Sequence, residues 1–162
     1  MKKLMMALTL CLVSVSMFAQ LNFGGSGNAK KVTSFYKDGY GEIKLANDQY
    51  VVEANDINNQ GKTVKMVLGS DVESAKMSLE QLIGWIKNAK VKDFVEINQA
   101  DGSTIVFYLY KEDQIIMSYG NIDYVTEKYE SLVKKTKMKQ AEQPFGYMLV
   151  KAFDHALQKM NQ

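Results

Sequence analysis

The chain has 162 residues with 20 lysines, no arginine and 18 acidic side chains, a formal charge of +2, and one cysteine and one histidine. With no arginine it lacks the planar fork that grips phosphates and carboxylates bidentately. No concentrated basic excess marks a nucleic-acid surface, and a lone Cys and His make no transition-metal cluster.

Residues 1–19 have the three-part layout of a cleavable export signal. Lys2 and Lys3 give the positive start, Leu4 to Val13 the short apolar run, and Ala19 the small residue before the cut. The apolar run falls short of the roughly 20 residues a membrane span requires. Cleavage after Ala19 removes Lys2, Lys3 and Cys11, leaving 18 lysines against 18 acids and no thiol. The expected product is an exported bacterial protein of the periplasm, outer surface or extracellular space, with no remaining membrane span. Residues 20–29, rich in Gly, Asn and Ser, read as a flexible leader, and residues 30–162 as a single globular domain without internal repeats.

The domain opens with short alternating runs separated by turn residues, the pattern of an antiparallel meander. Lys31–Lys37, Glu42–Ala46, Gln49–Asn55 and Lys62–Gly69 are predicted strands, with turns at Asp38-Gly39, Asn47-Asp48 and Asp56–Gly61. The last turn begins like a calcium loop, but its twelfth position is Val67 where a bidentate Glu is required. A predicted helix follows: Ser70 and Glu73 have capping-box spacing. Val72, Ala75, Leu79, Leu82, Ile83 and Ile86 form its apolar stripe, with Trp85 at the edge.

Asp93–Asn98, Thr104–Tyr110 and Gln114–Tyr119 are predicted to resume the sheet. Ile122, Val125, Tyr129, Leu132 and Val133 then define one helix, ending in the cluster Lys134, Lys135, Lys137 and Lys139. A further helix is predicted to start at Pro144, with Phe145, Leu149, Ala152, Phe153, Ala156 and Met160 on one face. The expected class is α+β, an antiparallel sheet of about seven strands in the order ββββ-α-βββ-α-α with helices on one face.

No catalytic constellation emerges. His155 lies toward the solvent side of its helix without a suitable Ser or acid partner, and no Gly-rich phosphate cradle precedes a helix. No cofactor or metal is expected. Tyrosine combines apolar bulk with a polar tip and is common in recognition surfaces, so Tyr108, Tyr110, Tyr119 and Trp85 are the candidate binding residues. The leading expectation is a non-enzymatic module that binds a protein or glycan. The competing one is a small hydrolase using carboxylates such as Asp101 or Asp113 at the hairpin ends.

Overall fold

A computed structural model describes residues 32–57, 61–133 and 144–162. The signal, the leader, the turn residues 58–60 and the lysine cluster at 134–139 lie outside the described residues. The protein is α+β, with eight strands and three helices among the described residues. They run β1 (Thr33–Lys37), β2 (Gly41–Ala46), β3 (Gln49–Asn55), β4 (Thr63–Gly69), α1 (Val72–Asn88), β5 (Phe94–Asn98), β6 (Thr104–Lys111), β7 (Gln114–Tyr119), α2 (Ile122–Val133), β8 (Phe145–Leu149) and α3 (Val150–Met160).

The strands form two four-stranded antiparallel sheets, each in sequence order: β1-β2-β3-β4 and β5-β6-β7-β8. A meander arises when each turn is too short to let the chain do anything but double back. Between β2 and β3 only Asn47 and Asp48 intervene, both with positive φ (52° and 60°). Asn and Asp tolerate that conformation, and it matches the twist of the flanking strands.

Each sheet is followed by a helix, so a ββββα arrangement occurs twice, with α2 inserted before the last strand of the second sheet. This topological repetition has no counterpart in the sequence. The division into two sheets falls at α1. The 17-residue α1 separates β4 from β5, and β4 and β5 become outer edges of different sheets rather than neighbours.

The eighth strand, Phe145–Leu149, follows directly on Pro144, inside the segment predicted as a continuous helix from that proline. Phe145, Met148, Ala152, Phe153, Ala156 and Met160 are all buried, so an apolar stripe does run through the segment. Its first part instead pairs with β7, with Ser118 opposite Phe145 and Gln114 opposite Leu149. Pairing satisfies the backbone of a buried segment as completely as a helix does, and here tertiary contact decides between them. α3 starts directly out of the strand, and its cap position, Leu149, makes no side-chain cap bond.

One core joins the sheets. It takes Ile43, Val52, Val64 and Met66 from the first sheet, and Val95, Ile105, Phe107 and Met117 from the second. Leu79 and Leu82 of α1 and Phe153 of α3 complete it. The helices are not all on one side. α2 lies on the opposite face of the second sheet, where Val125 closes over Val106, Tyr108, Ile116 and Phe145. The sheets also meet at one end: Asp56 bridges Gly146, and the Ile57 amide donates to the Phe145 carbonyl at 3.0 Å.

α1 is capped one residue later than the sequence spacing implies. The Asp71 carboxylate accepts from the Ser74 amide at 2.8 Å, and the Ser74 hydroxyl lies 3.4 Å from the Asp71 amide. The bond from the Ser74 amide holds the Asp71 carboxyl below its usual range, consistent with an anion at a helix N-terminus.

On the outward face of the first sheet, Lys44 reaches Glu53 at 2.6 Å and Glu42 at 3.2 Å. Burial alone pushes the Glu53 carboxyl up, but bonds from Lys44 and Thr63 outweigh it and hold the group below its usual range. A depressed carboxylate stabilises the fold above its unfolded pKa, and that contribution is lost as pH falls through the folded pKa. Glu53→Gln is therefore expected to flatten the dependence of stability on pH below 4.5. Urea midpoints between about pH 3 and pH 6 check this; an unaltered slope refutes it.

Candidate functional site

The four candidate binding residues do not share a surface. Tyr108, on β6, is only 3% exposed and packs with Val125 and Ile116 beneath α2. The alternation of β6 sets it on the face opposite Phe107, as expected, but that face is covered. Tyr110 is half-buried two residues on, at the end of the strand. Its ring stacks on Tyr147 of β8 with centroids 5.7 Å apart, and the Lys111 ammonium sits 4.9 Å above it. Tyr147 also meets Tyr40 edge-on at 6.5 Å. These contacts tie the β1–β2 hairpin to the second sheet.

Tyr119, at the end of β7, has a structural task that no local pattern signals. Its hydroxyl accepts from the Lys65 amide at 3.0 Å and lies 3.3 Å from the Lys65 carbonyl, to which it donates. β4 is the last strand of its sheet, so Lys65 has outward backbone groups that would otherwise be unpaired. The side chain of Gln99 does the same one step along, accepting from the Val67 amide at 2.8 Å. Tyr119→Phe removes both bonds to Lys65 and is expected to cost about 1–3 kcal/mol, read as a lower urea midpoint. A change within about 0.3 kcal/mol of zero would mean that the contact contributes nothing.

Trp85 is the one candidate residue that lines an apolar cleft. The cleft, of about 30 Å³, lies between α1, β4 and β5. α1 contributes Ser78, Gln81, Leu82 and Trp85, β4 contributes Met66 and Val67, and β5 with the residue after it contributes Val95, Ile97 and Gln99. The local sequence explains the arrangement. On α1, residues 78, 81, 82 and 85 fall on one helical face by their spacing of three and four. On β5, residues 95, 97 and 99 share one face by alternation.

At the rim, Val67 remains 39% exposed. None of the nine lining side chains is ionisable. A space this small seats a protruding side chain, whereas small-molecule pockets run to several hundred Å³.

The other side of β5 carries a wide, open depression of about 590 Å³ lined by Glu96, Asn98, Ser103, Thr104, Tyr119, Gly120 and Asn121. Much of its polar capacity is already engaged. The Glu96 carboxylate accepts from the Ile122 amide at 3.0 Å, Asn98 accepts from the Thr104 hydroxyl at 2.8 Å, and Asn121 caps Tyr124 at 3.1 Å.

The acids named for hydrolysis stand apart. Asp101 and Asp113 sit in turns at opposite ends of β6, whose eight residues span roughly 25 Å. Paired carboxylates act across about 5–10 Å. Asp101 accepts from the Ser103 hydroxyl at 2.6 Å and its amide at 2.9 Å, and these bonds hold its carboxyl below the usual range. His155 is exposed and meets Tyr36 edge-on at 5.7 Å.

Among the described residues, no three His, Cys, Asp or Glu side chains group as metal ligands, and no helix is long and apolar enough to cross a membrane. Compared with models of known protein families, with curated proteins and with solved structures, the chain finds no match.

Proposed function

We propose that this is an exported, non-enzymatic binding module whose protein partner seats an apolar side chain in the cleft between α1 and β5. The observation that carries the reading is the cleft itself. It is an apolar recess with the chain's single Trp in its wall and an exposed Val67 at its rim. Interface anchors fill well-packed apolar pockets, and Trp is enriched among the residues that carry binding energy.

The carboxylate-hydrolase alternative draws less support. Its acids lie at opposite ends of one strand, and the bonds on Asp101 favour the charged form when a general acid needs its proton retained.

The test uses short peptides selected for binding from a random library. Binders should shift the fluorescence of Trp85. They should also lose about tenfold in affinity when either of two exposed lining residues, Val67 or Gln81, is made charged, Val67→Lys or Gln81→Lys, because a charge beside the docked apolar side chain must be desolvated at a cost of about 1.4 kcal/mol. Binders indifferent to both changes would overturn the reading. So would a hydrolytic activity that survives them and disappears in Asp101→Asn or Asp113→Asn.

A further inference from the structure

An edge strand in an antiparallel sheet turns the amide and carbonyl of alternate residues away from its neighbour. In β5, two bonds fix which residues these are. The Leu109 amide donates to Asp93 at 2.9 Å, and the Gln99 amide donates to Ser103 at 2.7 Å. Counting between them by twos, the residues that bond to β6 are Val95, opposite Phe107, and Ile97, opposite Ile105.

Phe94, Glu96 and Asn98 therefore direct their backbone groups outward. Among the described residues none of these groups takes part in a hydrogen bond. The contrast with β4 is direct, since there Tyr119 and Gln99 occupy the outward groups of Lys65 and Val67. β5 has no such cover, and its pairing with β6 carries no bulge. Its outward residues are exposed, Phe94 by 37%.

The open edge and the Trp85 cleft belong to the same strand. A new strand laid against β5 would alternate its side chains as β5 does. The residue opposite Glu96 would stand on the outer face beside that carboxylate. Its two neighbours would point to the face of Val95 and Ile97, which is the face that lines the cleft.

Charge decides what the added strand is. A second copy of this chain pairing about a twofold axis centred on β5 would put Glu96 against Glu96, and like charges directly opposite are destabilising. A basic residue there is favoured instead.

We propose that β5 accepts an extended peptide of another protein as a fifth strand of the second sheet. The peptide has an apolar–basic–apolar pattern, its basic residue opposite Glu96 and one of its apolar residues entering the Trp85 cleft. This is strand addition, in which main-chain bonds give affinity and alternate side chains give selectivity. It rests on the reading of the cleft as a binding site and adds the partner's conformation and sequence pattern.

The test uses the intact protein and a capped peptide, Thr-Val-Lys-Val-Thr, followed by amide hydrogen exchange and by Trp85 emission. The peptide should slow exchange at Glu96 and Asn98 by about tenfold or more. Methylating the lysine amide, which removes one donor to the edge, should weaken binding about tenfold. Glu96→Lys should reverse the preference in favour of Thr-Val-Glu-Val-Thr.

If Trp85 emission shifts while exchange at Glu96 and Asn98 stays fast, strand addition is wrong and the cleft reading survives. If neither responds, the proposed peptide is refused and strand addition falls; binders found by library selection then decide the cleft reading separately. Protection that rises with protein concentration without peptide would show self-pairing and overturn the proposal.

Discussion

Phe107→Ala is expected to cost about 3–5 kcal/mol, a large part of the roughly 5–15 kcal/mol by which a domain is normally stable. Phe107 is fully buried at the centre of β6. It contacts Phe153 of α3 edge-on, with ring centroids 6.2 Å apart. The core around it takes side chains from both sheets and from α1 and α3, so no single element can relax into the space left behind.

The cost of such a deletion is the lost transfer energy plus the cavity that remains. Phe94→Ala provides the comparison: the same atoms are removed from an exposed position on β5, and the loss should stay below about 1 kcal/mol. Urea denaturation of both variants measures the difference. A loss under about 1.5 kcal/mol for Phe107→Ala would mean that the sheets do not share one core at this ring.

Much of this core is legible in the amino-acid pattern alone. Strict alternation in Thr104–Lys111 separates Ile105, Phe107 and Leu109 from Val106 and Tyr108, and the bulk on both sides implies cover on both faces. The 3.6-residue stripe of α1 is equally plain, and its buried members are Ala75, Leu79, Leu82 and Ile83. β8 is not legible in this way. The apolar residues of Phe145–Met160 suit a helix along the whole segment, and only the presence of β7 beside its first five residues makes them a strand. Local pattern cannot carry information about which edge will be vacant.

The site divides in the same way. Trp85 stands out as a large aromatic at the border of a stripe, and it does line the cleft. The rest of the cleft requires knowing that α1 faces β5 across the outer strand of the other sheet. The bonds that close β4 join residues 32 and 54 positions apart, which no local spacing encodes. Tyr108 shows the converse: a tyrosine on a strand is equally suited to recognition and to packing. Val125 of α2 settles its place as packing.

The joint between the sheets leads to the second large effect. Gly146 sits in β8 where that strand passes the end of β3. A Cβ on it would lie 2.7 Å from the Asn55 carbonyl oxygen and 2.8 Å from the Ala54 Cβ. Neither neighbour is free to retreat, because Ala54 is fully buried and β3 is paired on both sides, to β2 and to β4.

Gly146→Ala is thus expected to destabilise by about 2–3 kcal/mol, and Gly146→Val by more. Gly39→Ala isolates the steric cause, since nothing lies within 4 Å of a Cβ at that position. There the loss of unfolded-chain freedom should leave stability unchanged or raise it by about 0.4–1 kcal/mol. If the two alanine variants unfold at the same urea concentration, β8 does not approach β3 this closely. If Gly146→Ala alone falls, the contact that brings the two sheets together at this end depends on a missing methyl group.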